Sequence, residues 1–377
     1  MINADMFVKV LLDNDLKRFI GVPDSLLKEF AKSLEYHHDE LRHTITPSEG
    51  TAVALAIGYQ LATNKTPVVY MQNSGLGNAL NPLISLAHEN VYGIPMVLVI
   101  GWRGAPLSQD EPQHLTQGAV MRQILELIGI DYLIIDHETK LEKISDHISK
   151  VEPGLSGPTA ILISPGIFDE TEPLNVLDSP LKLSREQAVK LIVTTLSQSS
   201  IVVATTGKIS RELNEYRDQN KCAGKDFLTV GGMGHSSIIA LGIAEEFPNR
   251  VVVSLDGDGA FQMHLGASAL IGERSPPNFV HVIFNNGVHE SVGGQQIAAQ
   301  HIKYNYLAKA FGYKKFFTIS NEEEIRNLFP KLNADNGPFL IEIKVNLEVR
   351  RNLSRPKASP LQNKLKFQSH LIRPPKG

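Results

Sequence analysis

Seven short runs of apolar, largely β-branched residues recur along the chain: TPVVYM, IPMVLVI, TAILI, IVVAT, RVVVSL, NFVHVIF and FLIEIKV. Each is near-continuous rather than alternating. That is how a strand buried on both faces of a parallel sheet reads. Longer stretches with helical spacing lie between them, among them SEGTAVALAIGYQLAT and GHSSIIALGIAEEF. Strand and helix alternate throughout, so the expected class is α/β, built from two doubly wound parallel-sheet domains.

The alternation stops at SPGIFDETEPLNVLDSPLK, residues 164–182, where proline and acidic residues replace the apolar period. A helix is predicted to resume at SREQAVKLIV, with Ser184 as N-cap and Gln187 completing a capping box. This gives a first domain over 1–170, a linker over 171–183, and a second domain over 184–348. The last segment, 349–377, holds eight Lys or Arg and no Asp or Glu. It reads as an arm rather than a core element. A basic end is ordinarily a solvated tail; the sharper alternative is a strap that brings cations to an anionic site.

Composition narrows the picture in three places. A net charge of -3 argues against a general nucleic-acid binder. Cys222 is the single cysteine, so no intrachain disulfide exists, which fits a reducing compartment. Asp5, Asp13 and Asp15 interrupt the N-terminal apolar residues, unlike a signal peptide, and runs such as PMVLVI are too short to span a bilayer. The expected location is cytoplasmic, with no membrane partner.

The chemistry begins at SLDGDGAFQM, residues 254–263. In doubly wound sheets, ligands bind outside the carboxyl ends of the strands. Asp258 follows VVVSL there, between Gly257 and Gly259, which let the backbone turn sharply. The run NFVHVIF then leads into Asn285, Asn286 and Gly287; twenty-five residues separate Gly259 from Asn285, room for one helix and the next strand. A carboxylate and an amide oxygen at two neighbouring strand tips suit Mg²⁺, which takes hard oxygens and shares them with phosphate. The glycine hinge and the helix after it suit a diphosphate. Taken singly, DGDG and NNG are ordinary turn sequences.

GDG followed at this distance by NN resembles the thiamine diphosphate-binding motif. The resemblance implies Asp258, Asn286 and the carbonyl of Val288 as metal ligands, with Gly257, Gly259 and Ala260 beside the diphosphate. It implies Glu49, opening the small-residue helix, as the partner of the pyrimidine ring. It also implies Met233, in VGGMGH, as the wedge that bends the cofactor, with the Gly231 carbonyl facing the pyrimidine amino group. By themselves, Glu49 is a first-turn acid favoured by the helix dipole and Met233 a core residue beside a turn. In this superfamily the cofactor lies between two chains, which implies a homodimer at least.

The chain lacks the middle domain of the larger decarboxylases. It is similar over nearly its whole length to the phosphonopyruvate decarboxylase family, through GVPDSLLK, NSGLGNALNPLISL, GWRGAPLSQDEPQH, VGGMGHSS, LDGDGAFQMHLG, FNNGVHESVGGQ and RPKASPLQNK. The resemblance implies a carboxy-lyase that converts 3-phosphonopyruvate to phosphonoacetaldehyde and CO₂ in phosphonate biosynthesis. APLSQDEPQH departs from the expected pattern, which has a Pro-Gly pair after the arginine turn. Arg103, after IPMVLVIG, carries a fork suited to phosphonate oxygens. His114 in the same loop is a binding or proton-shuttling candidate. Asp24 and Ser25 are candidates for handling the intermediate, or an N-cap. His289, Glu290 and His114 are candidate proton carriers. Arg355, Lys357 and Lys364 are expected to close over the substrate. The rivals are a sulfopyruvate decarboxylase, a carboligase of the acetolactate synthase type, and a non-catalytic scaffold. A plain dinucleotide binder is weak, because no G-x-G-x-x-G opens the first helix.

Overall fold

A computed structural model describes residues 2–106, 108–151, 156–170, 180–222, 224–289, 294–298, 301–348, 350 and 352–372. The chain forms two compact units, Met1–Asn175 with Val288–Ala298, and Val176–Gly287 with Ala299–Gly377. Residues 288–298 thus group with the first unit rather than with the second half, where the sequence places them.

The first unit holds six strands: β1 (Arg18–Gly21), β2 (Arg42–Ile45), β3 (Val68–Gln72), β4 (Val97–Gly101), β5 (Tyr132–Ile135) and β6 (Thr159–Ile163). They pair in parallel in the order β2-β1-β3-β4-β6-β5. Its central strands are buried along their length, as their unbroken apolar runs require. Helices cover both faces, giving two core layers around Phe7, Phe30 and Tyr70 on one side and Val53, Met71 and Leu98 on the other.

The second unit repeats the plan with β7 (Ile201–Ala204), β8 (Phe227–Leu228), β9 (Val252–Gly257) and β10 (Phe279–Asn285). A two-residue hairpin, β11 (Val288–His289) with β12 (Gln295–Gln296), intervenes in the chain and belongs to the first unit. Then come β13 (Lys315–Ile319) and β14 (Phe339–Lys344). The order β13-β14-β10-β9-β7-β8 is again wholly parallel. Read from the other edge, it is the order of the first sheet. The helix Arg185–Thr195 begins with the expected capping box of Ser184 and Gln187.

The C-terminal segment corrects one expectation. It is not merely an arm: Pro360–Ile372 forms a helix whose Phe367 is buried in the second unit's core. Asn363 on that helix accepts from the Leu228 N–H at 3.3 Å and donates to the Asp226 carbonyl at 3.2 Å, covering the open edge at β8. Among the described residues no helix is long and apolar enough to cross a membrane.

Candidate active site

In each sheet the chain goes first to an edge and then returns past its starting strand. That reversal opens a crevice at the carboxyl ends, between β1 and β3 in the first unit and between β7 and β9 in the second.

In the first unit, Asp24 follows β1 and is only 1% exposed. The Gln72 amide at the end of β3 donates to it across the crevice, and the Leu26 N–H donates to its Oδ2 at 3.0 Å. Ser74 Oγ holds the Gln72 carbonyl at 2.7 Å. Burial pushes the Asp24 carboxyl above the usual carboxylate range, against the pull of Gln72 and Leu26. Asp24 is no helix cap: the helix Lys28–Tyr36 starts after Leu27, with no side-chain cap.

Arg103 lies just past β4. Its Nε donates to Asp110 Oδ2 at 2.7 Å, its Nη2 to Asp110 Oδ1, and its Nη1 to Ser25 Oγ at 3.0 Å. The fork expected to face substrate is therefore shared with Asp110 and exposed Ser25. The Arg103 side chain holds the Asp110 carboxyl well below the ordinary range, against the cost of burial. His114 sits half-buried in the first turn of the helix Pro112–Leu127. That helix is tied to the same turn, because the Trp102 indole N–H donates to the Gly118 carbonyl at 2.9 Å.

Glu49 is the first residue of the helix Glu49–Thr63, after the N-cap Ser48, and is 5% exposed. Asn78 Nδ2 donates to its Oε2 at 2.8 Å. The carboxylate presses on Gly75, where any Cβ would collide with it, so the close approach requires glycine.

In the second unit, Asp258 follows β9 directly and is 5% exposed. Its Oδ1 accepts from the Gly259 N–H at 2.7 Å. Its Oδ2 accepts from the N–H groups of Asn286 and Gly287 at 3.1 and 2.8 Å, at the tip of the adjacent strand β10. Burial pushes its carboxyl up to about 6 despite these three donors. Met233 lies in the loop that enters the helix Ser236–Glu246. Gly234 in that loop, at φ +84°, would place a Cβ 2.9 Å from the Ala260 carbonyl oxygen, so the Met233 loop rests on the Asp258 turn. The rings of His235 and His264 meet there at a tilt of 54°, with centroids 4.3 Å apart.

The structure thus brings Asp258, Gly259, Ala260 and Asn286 into one group, against which the loop carrying Gly231 and Met233 rests through Gly234, and Asp24, Ser25 and Arg103 into another. Arg355, Lys357 and Lys364 are exposed. Only the backbone of His289 is described, and Glu290 lies outside the described residues. Sequence reasoning missed Gln72, Asn73, Asn78 and Asp110. A signal was present for three of them: Gln72, Asn73 and Asn78 lie at or just past the end of the buried strand β3, in QNSGLGN, whereas Asp110 stands in a polar loop well beyond β4.

A thiamine diphosphate and its divalent ion fit the second group. Its donors are hard oxygens, and among the described residues the buried carboxyl of Asp258, raised by burial, is held by three backbone N–H groups, with Arg185 the last of the named causes that lower it. Residues 1–150 match the thiamine pyrophosphate enzyme N-terminal TPP binding domain, and residues 205–343 match the C-terminal TPP binding domain. The chain is 30% identical to a phosphonopyruvate decarboxylase of Streptomyces viridochromogenes, over 100% of this chain and 97% of that one. It is 31% identical to a phosphonopyruvate decarboxylase of Streptomyces hygroscopicus, over 99% of this chain and 95% of the other. A sulfopyruvate decarboxylase of Methanosarcina acetivorans is 29% identical over 87% of each chain. Crevices of this composition, on two sheets of one topology and with relatives matched end to end, place the chain in the phosphonopyruvate decarboxylase family of thiamine diphosphate-dependent decarboxylases, as a carbon–carbon lyase.

Proposed function

We propose that the enzyme converts 3-phosphonopyruvate to phosphonoacetaldehyde and CO₂, taking up one proton, with thiamine diphosphate and Mg²⁺, within phosphonate biosynthesis. The observation that carries the substrate is the end-to-end similarity to two phosphonopyruvate decarboxylases. The bound cofactor supplies the electron sink on which a 2-oxo acid loses CO₂. Asp258, Asn286 and the Val288 carbonyl hold the metal, and the Gly257–Ala260 turn holds the diphosphate. Met233 and the Gly231 carbonyl shape the cofactor, and Glu49, steadied by Asn78, accepts a hydrogen bond from its pyrimidine ring. Arg103 with Ser25 receives the phosphonate. Asp24, kept toward its neutral form by burial, holds a proton beside that group, and His114 stands in the first turn of the helix after the Arg103 loop. His289 and Glu290 remain proposed carriers of the proton, and Arg355, Lys357 and Lys364 proposed closing cations.

The protein acts as a homo-oligomer in this reading, with Glu49 of one copy and Asp258 of another serving one cofactor. Exposed Leu55 and Leu61 on the Glu49 helix, and Ile84 and Leu86 just past the helix Leu76–Pro82, support such an interface. The single Cys222 supports the cytoplasm as its compartment.

Sulfopyruvate is the second reading. A single fused chain does not argue against it, because the sulfopyruvate decarboxylase of Methanosarcina acetivorans is itself matched along 87% of its length. The test is CO₂ and aldehyde release from phosphonopyruvate, sulfopyruvate and pyruvate, each with Mg²⁺ and thiamine diphosphate and with cofactor-free protein as control. Cofactor-dependent release greatest from phosphonopyruvate is expected. A higher kcat/KM for sulfopyruvate would overturn the substrate, and an acyloin or acetolactate product would overturn the reaction.

A further inference from the structure

Asp110 has no oxygen lone pair to spare. Its side chain is 8% exposed and receives Arg103 Nε at 2.7 Å, Arg103 Nη2, the Gly104 N–H at 2.9 Å and the Glu111 N–H at 2.8 Å. An ionised carboxylate offers about four acceptor sites, so these donors fill it. The last two belong to its own loop, which makes Asp110 a fixed clip rather than a mobile counter-ion. Arg103 is fixed from the other side as well. The Asn73 amide accepts from the Arg103 N–H at 3.1 Å and donates to the Arg103 carbonyl at 2.8 Å. The two strand tips of β3 and β4 thereby hold the arginine backbone, while Asp110 holds one edge of its head.

A guanidinium carries five N–H donors in a rigid plane. Asp110 takes two of them and Ser25 Oγ takes one. Among the described residues two N–H remain, one on each terminal nitrogen. Without the clip, a long arginine side chain at a strand tip would sample many rotamers, and ordering it would cost binding free energy.

We propose that Asp110 is a positioning residue for substrate selection: it fixes the Arg103 guanidinium so that its two uncommitted N–H bonds, beside Ser25, address the anionic group the substrate keeps after losing CO₂. The inference rests on the proposed function, in which that group is a phosphonate. Because the Arg103–Asp110 pair is neutral overall, selection is by the direction of hydrogen bonds to a tetrahedral oxyanion, and only weakly by net charge.

The test is a double-mutant cycle on the full-length protein with cofactor and Mg²⁺: wild type, Asp110→Asn, Arg103→Ala and the pair, with Asp110→Glu as the conservative variant. For Asp110→Asn, KM for phosphonopyruvate should rise roughly 10- to 100-fold, about the worth of one charge-assisted hydrogen bond, with kcat changed less than about 3-fold. Calorimetric affinity for 3-phosphonopropionate, which keeps the phosphonate and lacks the reacting carbonyl, should fall in parallel. Thiamine diphosphate affinity should not move. Adding Asp110→Asn to Arg103→Ala should change KM less than about 2-fold, and Asp110→Glu should recover part of the loss. An unchanged KM in Asp110→Asn overturns the proposal. So does an equal effect of Asp110→Asn with and without Arg103, or a parallel loss of cofactor affinity, either of which marks a merely structural role. A wild type active on sulfopyruvate alone overturns the substrate reading only, and the cycle is then run on sulfopyruvate. Activity on pyruvate alone overturns both, since pyruvate keeps no anion.

Discussion

The two units share one strand order and divide their chemistry unequally. At the first crevice, buried Asp24, pushed toward its neutral form, lies under neutral amides, and Arg103 is already neutralised by Asp110. At the second, Asp258 stands at the β9 tip with its raised carboxyl held by three backbone N–H groups. The same topology thus makes a cation-seeking site in one sheet and a site with balanced polar groups in the other. What differs is which residue type falls one to three positions past each strand. Topology fixes where a ligand binds, and the tip residues fix which ligand.

The sharpest break of that division is Asp258→Ala. Metal and thiamine diphosphate binding should both be lost, and with them all measurable turnover; calorimetry with each ligand checks it. A variant that still binds cofactor at wild-type affinity would remove the second crevice from its anchoring role. Glu49→Gln should behave oppositely. Cofactor affinity should stay within a few-fold while kcat falls by roughly 10²- to 10⁴-fold, the usual scale for a lost acid–base group. Equal loss of binding in both variants would erase the contrast between anchor and chemistry.

Two stability predictions follow in decreasing size. Phe367→Ala removes a 5%-exposed ring from the second core and should cost about 3–5 kcal/mol, read as a lower urea midpoint. A solvated tail would show no such loss. The smallest effect is pH-dependent. Burial, aided by Arg18, lowers His43 in the first unit from 6.5 to about 4. The unfolded chain therefore binds the proton more readily. This contribution is complete above pH 6.5 and is lost as pH falls toward 4, up to about 3 kcal/mol. Asp258 runs the other way. With its carboxyl raised from 3.8 to about 6, the metal-free second unit loses stability as pH rises between those values. Urea unfolding of wild type and His43→Gln across pH 4–7 isolates the first effect as their difference; parallel curves would discard it.

Much of the fold was legible because burial leaves a direct mark on composition. The seven apolar runs became β3, β4, β6, β7, β9, β10 and β14, each mostly buried. The five sheet strands that no run announced are short or polar. Four of them, β2, β5, β8 and β13, lie at sheet edges, where one side faces solvent and continuous apolar residues are not required. The fifth, β1, is inner but spans four residues and begins with Arg18. Within the site, Asp258 and Asn286 were readable because two turns, each commonplace alone, follow two buried strands at a spacing that sets their tips side by side. Asp110 was not, since an acid in a polar loop has no periodic signature. The helical packing of Phe367 was hidden by the basic residues around it.

The sequence by itself determined the class, the repeated α/β plan and the motif residues at the strand tips. Those depend on local spacing and on how much apolar surface each segment must bury. Only the tertiary structure decided that Gln72 reaches Asp24, that Asn78 steadies Glu49, and that Asp110 and Asn73 immobilise Arg103. Apart from the Arg103–Asp110 pair, which closes a single loop, these contacts join different strand tips. A hydrogen bond between side chains so separated is set by strand order and register, which no stretch of sequence contains alone.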